Sequence, residues 1–135
     1  MAFTGNYTCN SFKSGLIDGD FDFDTDTFKI ALYTNNATLN ADTAAYTATG
    51  EVSASGYTAG GVALTVAKGI TGGTAYISFT DVTVSAALTA RGALIYKDGG
   101  AAVCVLDFGS DKTSTTTFTV DFPVASSTDA LIRLS

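Results

Sequence analysis

The chain contains no histidine and no tryptophan, one proline and only two cysteines. Without histidine the commonest general base and the commonest metal ligand are both missing. Neither a Ser/His/Asp nor a Cys/His nucleophilic arrangement can then be assembled. Charge is also scarce: 15% of the 135 residues are Asp, Glu, Lys or Arg, against about 25% in ordinary soluble proteins. What charge there is leans one way, since seven basic residues against thirteen acidic ones give a net charge of −6. That sign disfavours a surface that tracks phosphates, so no nucleic-acid partner is expected. The longest unbroken apolar run, 101–106, has six residues, far short of the ~20 a membrane helix needs. No membrane association is expected. The opening residues Met1-Ala2-Phe3-Thr4-Gly5 supply neither a basic n-region nor an apolar h-region, so no secretory signal is expected. Cys9 lies in a polar stretch and Cys104 in an apolar one. Two such residues do not make a disulfide framework, and free thiols in a cytosolically made protein are the expected state.

What remains is apolar and hydroxyl-rich. Hydrophobic residues make up 46% of the chain, with 22 threonines and 14 glycines. Disorder is excluded by that combination of high hydrophobicity and low charge, and the length suits one domain over 1–135. Residues 9–17 suggest a short helix, with Asn10 or Ser11 as its cap and Phe12 and Leu16 on one face. From there the period switches to two. Phe28, Ile30 and Leu32 alternate with Lys29, Ala31 and Tyr33, which predicts a half-buried strand. Strand-like runs recur at 61–67, 75–79, 81–85, 92–96, 101–108, 118–122 and 130–134. Lys97-Asp98-Gly99-Gly100 between two of them is a hairpin signal. Residues 34–60 show no sustained period and read as a long connection, with a turn of helix around 38–44. The expected fold is all-β: an antiparallel β-sandwich of about eight strands with one short N-terminal helix. Threonine suits the solvent face of such a sheet.

Chemistry is concentrated in one segment. Asp18, Asp20, Asp22, Asp24 and Asp26 alternate with Gly19, Phe21, Phe23 and Thr25, gathering five of the thirteen acids. Such carboxylates are weak candidates for a hard-cation site. The EF-hand pattern fails in every register, because the sixth and twelfth positions are Phe23 and Lys29, Thr25 and Ala31, or Thr27 and Tyr33 rather than Gly and Glu. The alternative is a solvated acidic turn that opens the first long strand while Phe21 and Phe23 pack inward. A carboxylate pair such as Asp107 and Asp121 could serve glycoside hydrolysis, but neither residue carries a motif. The glycines at 56, 60, 61, 72 and 73 lack any phosphate-loop pattern and read as turn residues. No catalytic residue, metal or cofactor is therefore assigned, and the chain reads as a non-enzymatic β domain suited to an assembly.

Several stretches occur together in a distinctive order. They are Phe23-Asp24-Thr25-Asp26-Thr27-Phe28-Lys29-Ile30-Ala31-Leu32-Tyr33, Glu51-Val52-Ser53 with Gly56-Tyr57-Thr58-Ala59-Gly60-Gly61, and Ala90-Arg91-Gly92-Ala93-Leu94-Ile95-Tyr96. Val105-Leu106-Asp107-Phe108-Gly109-Ser110-Asp111-Lys112-Thr113 follows, and then Phe118-Thr119-Val120-Asp121-Phe122-Pro123. In this order the chain resembles a family of small virion structural proteins of tailed bacteriophages, over nearly its whole length. The resemblance implies a capsid decoration (cement) protein or a tail-associated part, and it brings no catalytic residues. The favoured expectation is a decoration protein on the outer capsid surface. Its partner would be the major capsid protein, and it would form a homo-oligomer, a trimer if it occupies three-fold positions. Strand edges and the 34–60 connection would make the contacts, with Tyr33, Tyr46 and Tyr57 as aromatic anchors. A tail, fibre or baseplate component touching other tail proteins or host glycans is the alternative. A carbohydrate-binding module or accessory enzyme is a third.

Overall fold

The alternation at 28–33 becomes a central strand of an antiparallel sheet in the computed structural model, which describes residues 5–134. The elements in chain order are β1 (Tyr7–Thr8), α1 (Asn10–Asp18), β2 (Phe28–Tyr33), β3 (Val62–Leu64), β4 (Val66–Thr71), β5 (Thr74–Phe79), β6 (Val82–Val84), β7 (Thr89–Lys97), β8 (Ala102–Thr113), β9 (Phe118–Val120) and β10 (Ile132–Leu134). They pair as a five-stranded sheet β1-β8-β7-β2-β3, a three-stranded sheet β10-β5-β4 and a two-stranded sheet β6-β9. Every pairing is antiparallel. The protein is thus all-β with one short helix, as expected.

The main core lies between the large sheet and the two small ones. Cross-strand rows such as Ile30–Ile95–Cys104 point the same way and meet Phe79, Val82, Val84, Phe118 and Val120. From 81 to 90 burial alternates strictly, with Val82, Val84, Ala86, Leu88 and Ala90 inward and Asp81, Thr83, Ser85, Ala87 and Thr89 outward. Here the threonines do occupy the solvent face.

The second face of the large sheet departs from the half-buried expectation. Ala31 and Tyr33 are fully buried, because Ala37, Leu39 and Tyr46 from the 34–60 connection close over them together with Leu94, Tyr96 and Val105. The central strands are therefore apolar on both sides, and the alternation at 28–33 distinguishes two cores rather than core from solvent. The connection itself holds no helix at 38–44. Residues 40–43 form a reverse turn instead, in which Asp42 N–H donates to Asn40 Oδ1 at 2.8 Å and Thr43 N–H to the Asn40 carbonyl at 3.0 Å. Short polar side chains that bond their own backbone favour such turns over helix.

Two other boundaries moved for identifiable reasons. The run 61–67 divides at Thr65, where the chain leaves the large sheet and enters the small one. Gly61 permits the entry: its φ is +87°, and a Cβ there would lie 1.8 Å from the Ile30 carbonyl oxygen. Helix α1 starts at Asn10 with Cys9 as its N-cap and no capping side-chain bond. The helix is held by tertiary contact, with Phe12 buried in the main core.

Candidate functional site

The acidic segment follows directly from the end of α1. Gly19 takes φ +79° as the C-cap, and Asp20 N–H returns to the Gly15 carbonyl at 2.8 Å. The segment is not extended. Asp26 N–H donates to the Asp22 carbonyl at 2.9 Å, Asp22 N–H to Asp26 Oδ2 at 2.8 Å and Asp24 N–H to Asp22 Oδ1 at 2.9 Å. These bonds fold 22–26 into a tight turn and hold the Asp22 carboxyl below its usual range. The carboxylates disperse: Asp24 pairs with Lys68 at 2.8 Å and Asp26 with Lys97 at 3.2 Å, while Asp18 and Asp20 are exposed. Among the described residues, no three acidic or cysteine side chains are grouped to hold a metal ion. Phe21 and Phe23 do turn inward. Phe23 stacks on Phe28 with ring centroids 4.6 Å apart, and Phe21 meets Phe12 edge-on at 5.0 Å. The hydrophobic alternate residues thereby fix the turn, and Lys97 stitches it by donating to the Asp20 carbonyl at 2.7 Å.

The three candidate anchor tyrosines lie within the domain. Tyr33 is 0% and Tyr57 9% exposed, and Tyr46 is half-buried. Two of them converge on Glu51, which opens one of the family-like stretches but was assigned no role from the sequence. Tyr46 OH donates to Glu51 Oε1 at 2.5 Å, while Tyr57 OH and Gly60 N–H donate to Oε2 at 2.7 and 2.8 Å. Tyr96 OH donates to the Gly60 carbonyl at 2.5 Å, and Tyr33 OH to the Thr47 carbonyl at 2.7 Å. Tyr57 has a second task. Its hydroxyl oxygen accepts the Leu32 N–H at 2.9 Å, beyond the reach of β3, which pairs β2 only along Phe28–Ile30. The hydroxyl thus completes the pairing that the backbone of 50–52 makes with 32–34, where Val52 N–H donates to the Leu32 carbonyl at 2.9 Å and Thr34 N–H to the Gly50 carbonyl at 2.8 Å. The donor bond to the Glu51 carboxylate pushes the Tyr46 hydroxyl up to about 12. Burial, aided by the same carboxylate, raises Tyr57 further. An anchor role for Tyr33 and Tyr57 is corrected accordingly: both fasten the connection to the sheet.

Asp107 and Asp121 occupy unlike settings. Asp107 forms an ion pair with Arg91, and both side chains are nearly buried, at 12% and 11% exposure. It sits where β7 and β8 slip register between Ala90 and Gly92. Its Oδ1 also accepts Gly109 N–H at 2.8 Å, and Gly109 adopts φ +85°. The pair therefore closes a bulge. Asp121 is exposed. Cys9 and Cys104 are both free and buried. Burial pushes the Cys9 thiol up to about 11 and raises Cys104 as well, which keeps both protonated and poorly nucleophilic.

Comparison of the chain with protein-family models, curated proteins and solved structures found no match. No helix among the described residues is long and apolar enough to cross a membrane.

Proposed function

We propose that this chain is a bacteriophage virion structural protein, and specifically a capsid decoration protein held on the outside of the major capsid lattice. The observation that carries this reading is how the family-like segments are used. Three of them supply β2, β7 and β8, the middle of the large sheet. The stretch 51–61 supplies the Glu51 and Tyr57 lock over that sheet. The stretch 118–123 supplies β9 on the opposing layer. The resemblance therefore falls on one continuous, internally fastened body rather than on scattered surface residues. Rigidity of this kind suits a part that reinforces a shell by shape. A net charge of −6 suits a position outside the shell, away from packaged DNA of the same sign. With Tyr33 and Tyr57 buried, the outer surface of the connection carries polar residues such as Asn35, Asn36, Thr38 and Asn40. These would meet the lattice.

The deciding experiment is binding of purified protein to expanded, undecorated capsids of a phage that encodes it. Saturable binding at a fixed ratio to the capsid lattice supports the proposal. Absence of binding at saturating concentration overturns it. Copy number distinguishes the tail or fibre alternative, with hundreds per virion for a decoration protein and tens or fewer for a tail part.

A further inference from the structure

Of the thirteen acidic residues only Asp18 and Asp98 are followed by glycine, and no asparagine is. An Asp-Gly bond carries a latent reaction, attack of the glycine nitrogen on the aspartate side-chain carbonyl carbon. Glycine favours it by having no Cβ to shield the nitrogen and by reaching backbone angles closed to other residues. Ring closure needs a nitrogen free of hydrogen bonds, a carboxyl able to swing onto it and a backbone with room to turn. The fold treats the two bonds differently.

Asp18 ends helix α1, and the helix occupies the nitrogen. Gly19 N–H donates to the Gly15 carbonyl as the C-cap bond, and Asp20 N–H joins it there at 2.8 Å. Attack at Asp18 requires this last turn to open first.

Asp98 stands at the tip of the β7–β8 hairpin. Gly100 N–H donates to the Lys97 carbonyl at 2.8 Å, Lys97 N–H to the Ala101 carbonyl at 3.0 Å and Asp98 N–H to the Thr27 carbonyl at 2.8 Å. These bonds pass over Gly99, whose N–H has no hydrogen-bond partner among the described residues. Gly99 takes φ +75°, and nothing lies within 4 Å of the place a Cβ would occupy, so the tip has room to rearrange. The Asp98 side chain is 51% exposed, and its ion-pair partner Lys29 lies 3.8 Å away, too loosely to pin the carboxyl.

We propose that Asp98 is a site of spontaneous backbone isomerisation, converting to isoaspartate through a succinimide. The Gly99 nitrogen bonds to Asp98 Cγ, and the hydroxyl of the protonated carboxyl departs with the Gly99 N–H proton as water. Water then reopens the ring. Cleavage between the nitrogen and Cγ restores aspartate, whereas cleavage at the former main-chain carbonyl routes the chain through Cβ and Cγ and leaves the old carbonyl carbon as the free carboxylate. The net composition is unchanged, and no oxidant or cofactor takes part. The product lengthens the main chain by one methylene inside a hairpin at the centre of the large sheet. This inference does not depend on the virion reading.

Ageing the full folded chain in neutral buffer at physiological temperature tests it. Isoaspartate is located by proteolysis and mass spectrometry and counted with an isoaspartate O-methyltransferase and a labelled methyl donor. The expected result is isoaspartate at position 98, preceded by a species one water lighter. Asp18 should convert about tenfold more slowly, the factor by which one backbone hydrogen bond of the helix holds its nitrogen back. In the urea-unfolded chain the two bonds should react at similar rates, which assigns the contrast to the fold. Asp98→Glu, whose ring would need one more atom, should give no product at 98, and Asp98→Asn should convert faster, losing ammonia in the first step. A folded chain that forms no isoaspartate at 98 while the unfolded chain does overturns the proposal. So does a folded chain in which Asp18 converts as fast as Asp98.

Discussion

Removing the Glu51 carboxylate should loosen the 34–60 connection and destabilise the whole domain. Glu51 accepts three hydrogen bonds, from Tyr46, Tyr57 and Gly60. Deleting a charged acceptor costs about 1.5–3 kcal/mol for each donor that water cannot reach. Tyr46 is half-buried and can turn to solvent. Tyr57 is buried and the Gly60 N–H lies beneath the connection, so these two carry most of the loss. Glu51→Ala should therefore cost about 3–5 kcal/mol, a large part of a domain's total stability. Glu51→Gln should cost only about 1–2 kcal/mol. Its carbonyl oxygen can still serve Tyr57 and Gly60, while its amide can donate to a rotated Tyr46 hydroxyl. Tyr57→Phe should cost about 1–3 kcal/mol, because it leaves the Leu32 N–H without its acceptor. In the double variant Glu51→Ala/Tyr57→Phe the losses should fall short of additive by at least about 0.5 kcal/mol, as expected for residues in one network. Urea unfolding followed by circular dichroism gives these numbers, and limited proteolysis reports whether cleavage moves into 34–60. A Glu51→Ala variant within about 0.5 kcal/mol of wild type would refute the reasoning. Equal losses for Ala and Gln would do the same.

Four further outcomes can be measured in the same assays. Arg91→Ala should cost about 3–5 kcal/mol by leaving Asp107 uncompensated, whereas the apolar pair Arg91→Met/Asp107→Leu should lose far less; equal losses would show that the pair's charge is irrelevant. Gly61→Ala should cost about 3 kcal/mol or more, combining the left-handed backbone penalty of about 1–2 kcal/mol with the clash against the Ile30 carbonyl, and a neutral result would mean that β3 is free to move away from β2. Alkaline pH should destabilise the protein: the Tyr46 and Tyr57 hydroxyls lie above their unfolded value near 10 in the folded state, at about 12 for Tyr46, so their contribution is whole below pH 10 and is lost as pH rises through 10 to 12, and Tyr57→Phe should flatten the decline in the unfolding midpoint. Calcium and chelator should both leave the melting temperature unchanged, because the acidic carboxylates disperse onto Lys68, Lys97 and solvent; a chelator-sensitive transition would contradict the dispersal.

The parts that were legible in the sequence are those written in local pattern. Alternation at 28–33 and 81–85, the Asp98-Gly99 hairpin and the inward pull of Phe21 and Phe23 are all decided within a few residues. The parts that were not legible depend on distant partners. Tyr33 reads as an exposed strand position because nothing nearby signals that Ala37 and Leu39 return to cover it. The bonding role of Glu51 gave no signal, since its donors lie at Tyr46, Tyr57 and Gly60 with no helical or strand period between them. The split at Thr65 was hidden because the run is apolar on both sides of it, Val62–Leu64 and Val66–Ala67, and a threonine is at home inside a strand.

The order β1-β8-β7-β2-β3 has a consequence for how the protein comes off the ribosome. Tyr7 and Thr8 pair with Val105 and Cys104, so the first strand made finds its neighbour only after most of the chain has been synthesised. Before that the large sheet can hold only β2, β3 and β7, on which Phe28 and its aromatic neighbours already sit. Joining of β1 to the sheet is therefore a long-range event, whose loop-closure cost far exceeds that of the β7–β8 hairpin beside it.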